Sequence, residues 1–204
     1  MASTSNKVRF GLKNVHYALF DEDTKTYAAP QRLSGAVNIS FEPQGSQNKF
    51  YADDVVYYVS NPTATDSGSL EIADMTEQAM IDLLGYKKDS NGVLREATNA
   101  KHPTFALLYQ QAGDGNTKRG VRYNVTLNRP TEGAQTTEES VTPNTMTLDY
   151  EAVGRDFEID GEVENIIKAQ VTDAGETHAT YDSWFESVYI FGASGAAGDD
   201  TVNP

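Results

Sequence analysis

The 204-residue chain contains no cysteine. That excludes a disulfide framework and a thiolate metal site, and it disfavours a small secreted scaffold. Positive charge is scarce: 16 Lys and Arg against 30 Asp and Glu leave a formal net charge of -14. Such a surface repels phosphate backbones and anionic membranes, so a basic nucleic-acid-binding patch is not expected. Long apolar runs are also missing. None approaches membrane-spanning length, and "MASTSNKVRF" at the start holds no apolar core of a signal peptide. Synthesis and first folding in a cytoplasm are therefore expected. The sequons at Asn38 and Asn124 then read as chance matches inside strand-like runs.

Catalytic motifs are equally thin. His16, His102 and His178 stand in no HExxH pattern and near no GxSxG elbow. The stretch "GDGNTKRG" (Gly113 to Gly120) has glycines and a lysine. It lacks Walker spacing and a following helix, so it reads as a hairpin turn and not a phosphate cradle.

What is present is alternation. The 38% of hydrophobic residues suit an ordinary globular domain with a real core. In "AVNISFE", Val37, Ile39 and Phe41 are expected on one face, opposite Asn38, Ser40 and Glu42. Leu70 and Ile72 alternate with polar neighbours, as do Met146, Leu148, Tyr150 and Ala152. In "GVRYNVTLNR", Val121, Tyr123, Val125 and Leu127 are expected on one face and Arg122, Asn124, Thr126 and Asn128 on the other. This pattern predicts antiparallel sheet with one side packed on a core. "FALLYQQ" and "GVRYNVTL" should form a long hairpin across "GDGN".

One segment has helical spacing. Met75, Ala79, Met80, Leu83 and Leu84 share a stripe, predicting a flanking helix over about 75–84. Asp74 is the expected N-cap, Glu77 stands at capping-box spacing, and Gly85 is the expected left-handed stop. The aromatic "YDSWFESVYIF" is expected to anchor the last strand, with 1–191 forming one domain. The glycine-rich stretch 192–204 is expected to be a flexible tail. "EPQGSQNKFYADD" (Glu42 to Asp54) and "PTEGAQTTEESVTPN" (Pro130 to Asn144) read as long polar loops.

"GRDFEIDGEVEN" places Asp156, Glu158, Asp160, Glu162 and Glu164 at every second position. A calcium loop read from Asp156 would need a glutamate at its twelfth position, where Ile167 stands. A catalytic pair needs two carboxyl groups facing across a cleft. Crowded on one ribbon, these acids are expected to stay solvated on one strand face, with Asp160-Gly161 as a hairpin turn. No metal, cofactor or catalytic residue is expected.

Several segments in order carry a family resemblance: "NKVRFGLKNVHYALF", "LSGAVNISFEPQGSQNKFYADDVVYY", "GSLEIADMTEQAMIDLLGY", "KKDSNGVL", "FALLYQQAGDGNTKRGVRYNVTLNRP" and "WFESVYIF". Together, from about Asn6 to Phe191, they resemble the major tail proteins of long non-contractile bacteriophage tails of Gram-positive hosts. The resemblance implies a β-sandwich or half-barrel with one flanking helix and no enzymatic activity. It implies hexameric rings stacked into a tube in the virion tail, assembled in the host cytoplasm. Partners would be tape-measure, tail-initiation and tail-terminator proteins, with DNA passing through unbound. Some relatives append an immunoglobulin-like domain, which is not expected in this chain. On this reading the loop bearing Gln44, Lys49, Phe50 and Tyr51 would touch the next ring, and Asp156, Glu158 and Asp160 would face the bore. The rival class is a carbohydrate- or protein-binding β-sandwich using Trp184, Tyr57, Tyr58 and Tyr109 as a platform. A glycan-cleaving enzyme using the acidic run is the third.

Overall fold

A computed structural model describes residues 9–45, 48–52, 54–60, 65–113, 117–131, 133, 136, 144–173 and 177–192. The tip of "GDGN", most of the 130–144 loop and the tail beyond residue 192 lie outside them. In chain order the elements are β1 (Arg9–Asp21), β2 (Thr26–Tyr27), β3 (Gln31–Arg32), β4 (Ala36–Ile39), β5 (Glu42–Gln44), β6 (Asn48–Ala52), β7 (Val55–Ser60) and β8 (Thr65–Ile72). Then come α1 (Glu77–Leu84), β9 (Lys87–Lys88), β10 (Leu94–Arg95), β11 (Phe105–Gly113), β12 (Lys118–Leu127) and β13 (Met146–Ala152). They end with β14 (Arg155–Ile159), β15 (Glu162–Ile166), β16 (Lys168–Thr172) and α2 (His178–Asp182).

The protein is mainly β, its sheets are antiparallel, and no closed barrel forms among the described residues. One ten-stranded sheet runs β2-β1-β11-β12-β13-β8-β4, with β3 added to β1, β16 to β12 and β5 to β8. The expected long hairpin is β11–β12, with Leu108 opposite Val121 and Gln111 opposite Lys118.

This sheet forks along β12. Its first half pairs with β16 and its second with β13. Asn124, at φ 46°, sits at the fork. Phe105 pairs with Val125 but Leu107 pairs with Arg122, so β12 carries one extra residue there. Such a bulge reverses which face each side chain takes. Val121 and Tyr123 therefore enter one core while Val125 and Leu127 enter the other, correcting the single face expected for all four. Arg122, expected on a polar face, is buried. A second bulge, between Ala36 and Asn38 on β4, throws Val37 out to solvent, while Ala36, Ile39 and Phe41 pack on the core.

The central strands are thus covered on both faces, not one. The first core gathers Val15, Tyr17, Leu70, Ile72, Phe105, Leu107, Val125, Leu148 and Tyr150. Helix α1 closes it with Ala79, Leu83 and Leu84. Burying one such leucine contributes about 2 kcal/mol. The helix begins at Glu77 because Met75 is drawn into the core and Thr76, not Asp74, is the N-cap: its hydroxyl accepts from the Ala79 N–H at 3.2 Å. Gly85 ends it at φ 72°, as expected.

The second core holds Ala18, Ala106, Leu108, Val121, Tyr123, Phe157, Val171, Tyr181, Trp184 and Val188. Its lid includes the 181–191 stretch, which forms no strand. It is the end of α2, a 3-10 turn (Ser183–Phe185) and an irregular run. Tyr181, Trp184 and Val188 sit three and four residues apart, a helical and not an alternating spacing.

Candidate assembly surface

Of the three two-stranded hairpins that stand apart from the main sheet among the described residues, two carry the residues singled out by the sequence. The first is β6–β7. The 42–54 stretch read as a loop is mostly strand: β5 pairs with β8, and β6 pairs with β7. Phe50 stands opposite Tyr58, with a bulge before the Tyr51–Val56 pair. Phe50 is 62% exposed and Tyr57 75%, and Tyr51, Val55, Val56 and Tyr58 are also exposed. Phe50 is therefore not buried within its own subunit. Valine and tyrosine make this a good strand sequence, yet an isolated hairpin is marginal in water. Six large apolar side chains exposed on one hairpin make the arm a candidate interaction surface. Lys49 is exposed on the same arm. Gln44 lies at the arm's root, where its amide donates to Ser67 Oγ at 2.9 Å.

The second hairpin is β14–β15. Ile159 pairs with Glu162 across a two-residue turn, Asp160 and Gly161, both with positive φ (52° and 85°). That is the expected type I′ geometry. The acids do not share one face. Cross-strand partners point the same way, so Asp156 and Glu158 lie with Asn165 and Val163, while Glu162 and Glu164 lie with Phe157 and Ile159. The turn passes the spacing of two through a change of side. All five acids are exposed, as expected of solvated groups. Asp156 accepts from the Asn165 amide at 2.6 Å. Below them Phe157 is buried edge-on against Tyr123, ring centres 4.8 Å apart. Arg155 lies over Phe20 at 4.0 Å and Tyr27 at 4.7 Å, and donates to the Lys25 carbonyl at 2.7 Å. The acidic hairpin is thereby pinned to the second core.

A model of the family described as phage tail tube protein matches residues 2–194. The chain belongs to the phage tail tube protein family. No curated protein sequence matches it. A tail tube protein is a structural component of the virion tail, assembling into a tube of subunits with other tail proteins. No helix among the described residues is long and apolar enough to cross a membrane.

The residues of the rival readings do not come together in this tail tube protein. Trp184 is only 3% exposed, stacked near Tyr189 with its indole N–H toward the Gly120 carbonyl, and Tyr109 is buried. Tyr57 and Tyr58 are on the arm. No common platform exists among them. The histidines sit on separate elements. His16 stacks on Phe185 at 4.6 Å, and burial lowers its pKa. His102 Nδ1 lies 2.6 Å from the Leu127 carbonyl. Exposed His178 is raised by its hydrogen bond to Asp173 and the nearby Asp182 charge. Among the described residues no group of His, Asp and Glu is arranged to hold a metal ion.

Sequence reasoning gave Phe50 and Tyr51 to the contact between rings but placed Tyr57 and Tyr58, on the other strand of the same arm, in the rival platform. The signal was "VVYYV", an apolar run directly after "KFYADD". A continuous apolar run looks the same whether its own chain or another covers it.

Proposed function

We propose that the polymerising unit is residues 1–191, followed by a tail over 192–204. It forms hexameric rings that stack into the tube through which DNA passes, with no catalytic role. The observation that carries this reading is the β6–β7 arm, whose large apolar side chains stay exposed and join neither core among the described residues. A projecting element that fits a different surface on the next copy makes a heterologous contact, and such contacts propagate into stacks instead of closing. The arm, with Lys49, Phe50 and Tyr51, makes the contact between rings, and Gln44 holds its root. The sheet's end strands, β2 and β4, are edges that neighbours in a ring can pair or cover. Tape-measure, tail-initiation and tail-terminator proteins are the partners at the bore and the two ends.

The acidic hairpin faces the bore. A wall of carboxylates repels passing phosphates, whereas lysines there would release counterions and hold the DNA. The net charge of -14 agrees with a conduit that must not bind its cargo. Electron microscopy of the purified protein, alone and with tail-initiation proteins, tests the reading. Stacked rings are expected; a monomer under both conditions overturns it.

A further inference from the structure

The arm leaves the sheet through two stems, residues 40–44 and 65–69. They pair with each other, Glu42 opposite Ser67 and Gln44 opposite Thr65. One guanidinium touches both stems. Arg122 Nε donates to Asp66 Oδ2 on the second stem at 2.8 Å. Its guanidinium carbon lies 4.2 Å from the ring centre of Phe41 on the first. Its Nη1 donates to the Tyr109 hydroxyl at 3.2 Å, and the Tyr109 ring sits 4.7 Å from Phe41. Beside this group the Tyr150 hydroxyl donates to the Ser40 carbonyl at 2.6 Å. Gly68 makes that approach possible, because a Cβ there would collide with both the Ser40 carbonyl and the Tyr150 hydroxyl.

The Arg122 and Asp66 side chains are 7% and 5% exposed. A buried ion pair is a weak way to stabilise a sheet, since well-packed apolar residues serve as well or better. What it adds is direction. A planar guanidinium takes a carboxylate along one edge and an aromatic ring on its face, so it holds its partners at fixed angles. Arg122 can do this only because the Asn124 bulge separates its face from that of Thr126 and Asn128.

We propose that Arg122 is the positioning residue of the arm: its ion pair with Asp66 and its stacking on Phe41 lock both stems to β12 and fix the direction in which β6–β7 leaves the sheet. Its importance for assembly rests on the reading of the arm as the contact between rings; the lock itself does not.

The chain has no cysteine, so Tyr57→Cys and Glu151→Cys supply unique spin-label sites on the arm and on β13. Pulsed electron paramagnetic resonance on the isolated subunit then reads the arm's direction. The parent is expected to give one narrow distance distribution. The double variant Arg122→Met with Asp66→Leu leaves no orphaned charge and is expected to keep a cooperative melt while losing the narrow peak. Phe41→Leu, which keeps the ion pair, is the second variant should the first not fold, and it too is expected to broaden the peak. An unchanged distribution in either folded variant, even with a lowered melting temperature, overturns the lock and leaves Arg122 a merely structural residue. Broadening together with normal tubes upholds the lock and overturns the arm-contact reading, so the two failures are distinguishable.

Discussion

The two hairpins are built alike and finished in opposite ways. Both are two-stranded and separate from the ten-stranded sheet. The β14–β15 hairpin sends Phe157 into the second core and leaves its acids in water. It obeys the ordinary division between inside and outside. In the β6–β7 arm, Phe50, Tyr51, Tyr57 and Tyr58 all face outward, and none belongs to either core. The first hairpin is explained by its own chain. The second is left exposed by the described residues, and under the proposed function a neighbouring copy of this tail tube protein covers it.

The sharpest way to break this contrast is to remove the arm. Replacing residues 48–60 by a short Gly-Ser link is expected to abolish tubes while the monomer's melting temperature barely moves. Negative-stain images and a thermal scan check both halves, and tubes from the deleted protein would refute the arm's role. Next in size is a matched pair of phenylalanine truncations. Phe157→Ala should cost about 3–5 kcal/mol of folding stability, whereas Phe50→Ala should stay within about 0.5 kcal/mol, both read by urea unfolding. Equal losses would show that the arm is packed by its own subunit.

A smaller effect is expected at the acidic turn. Gly161→Val places a branched side chain at φ 85°, which costs roughly 1–2 kcal/mol. The same unfolding measurement checks it, and Gly161→Asn should be milder. The smallest effect on stability belongs to the acids. Asp156→Lys with Glu158→Lys should change folding stability by no more than about 0.5 kcal/mol and leave tubes normal. Asp160 is left out of that pair because its φ of 52° would add a turn penalty to the charge effect. Particles carrying the pair are expected to be of normal shape and to deliver DNA more slowly. Full infectivity would put these acids on the outer surface. Chelator is expected to leave the melting temperature unchanged, and a large shift would reinstate a calcium site.

Strands β4, β8, β11, β12 and β13 were legible from period two, and so were the helix, its glycine stop and the Asp160-Gly161 turn, whereas β5 and β6 lay in a stretch read as a loop. Each depends on residues within a few positions of one another. The faces were less legible. Val37 and the 121–127 run were assigned by continuing an alternation through positions where a bulge reverses it, and Asn124 looks like any other polar strand residue until its φ is known. The 181–191 stretch packs in one core with Val171 of β16, the last strand, as expected, but as helical turns and an irregular run, a form signalled by the three- and four-residue spacing of Tyr181, Trp184 and Val188.

By itself the sequence determined the chemistry available and the local elements. With no cysteine it ruled out disulfides and thiolate sites, and its excess of acid argued against a basic groove. Its alternating apolar residues predicted antiparallel sheet, the arrangement that commonly packs one face and leaves the other in water. The tertiary structure decided where the alternation ends: which bulge turns Arg122 inward to meet Asp66, and which of two apolar hairpin stretches finds a core. Phe157 and Phe50 have similar local sequence settings, each within a short strand beside charged residues. One is buried and the other exposed because burial is set by what lies across space from a residue, and its neighbours along the chain do not specify that.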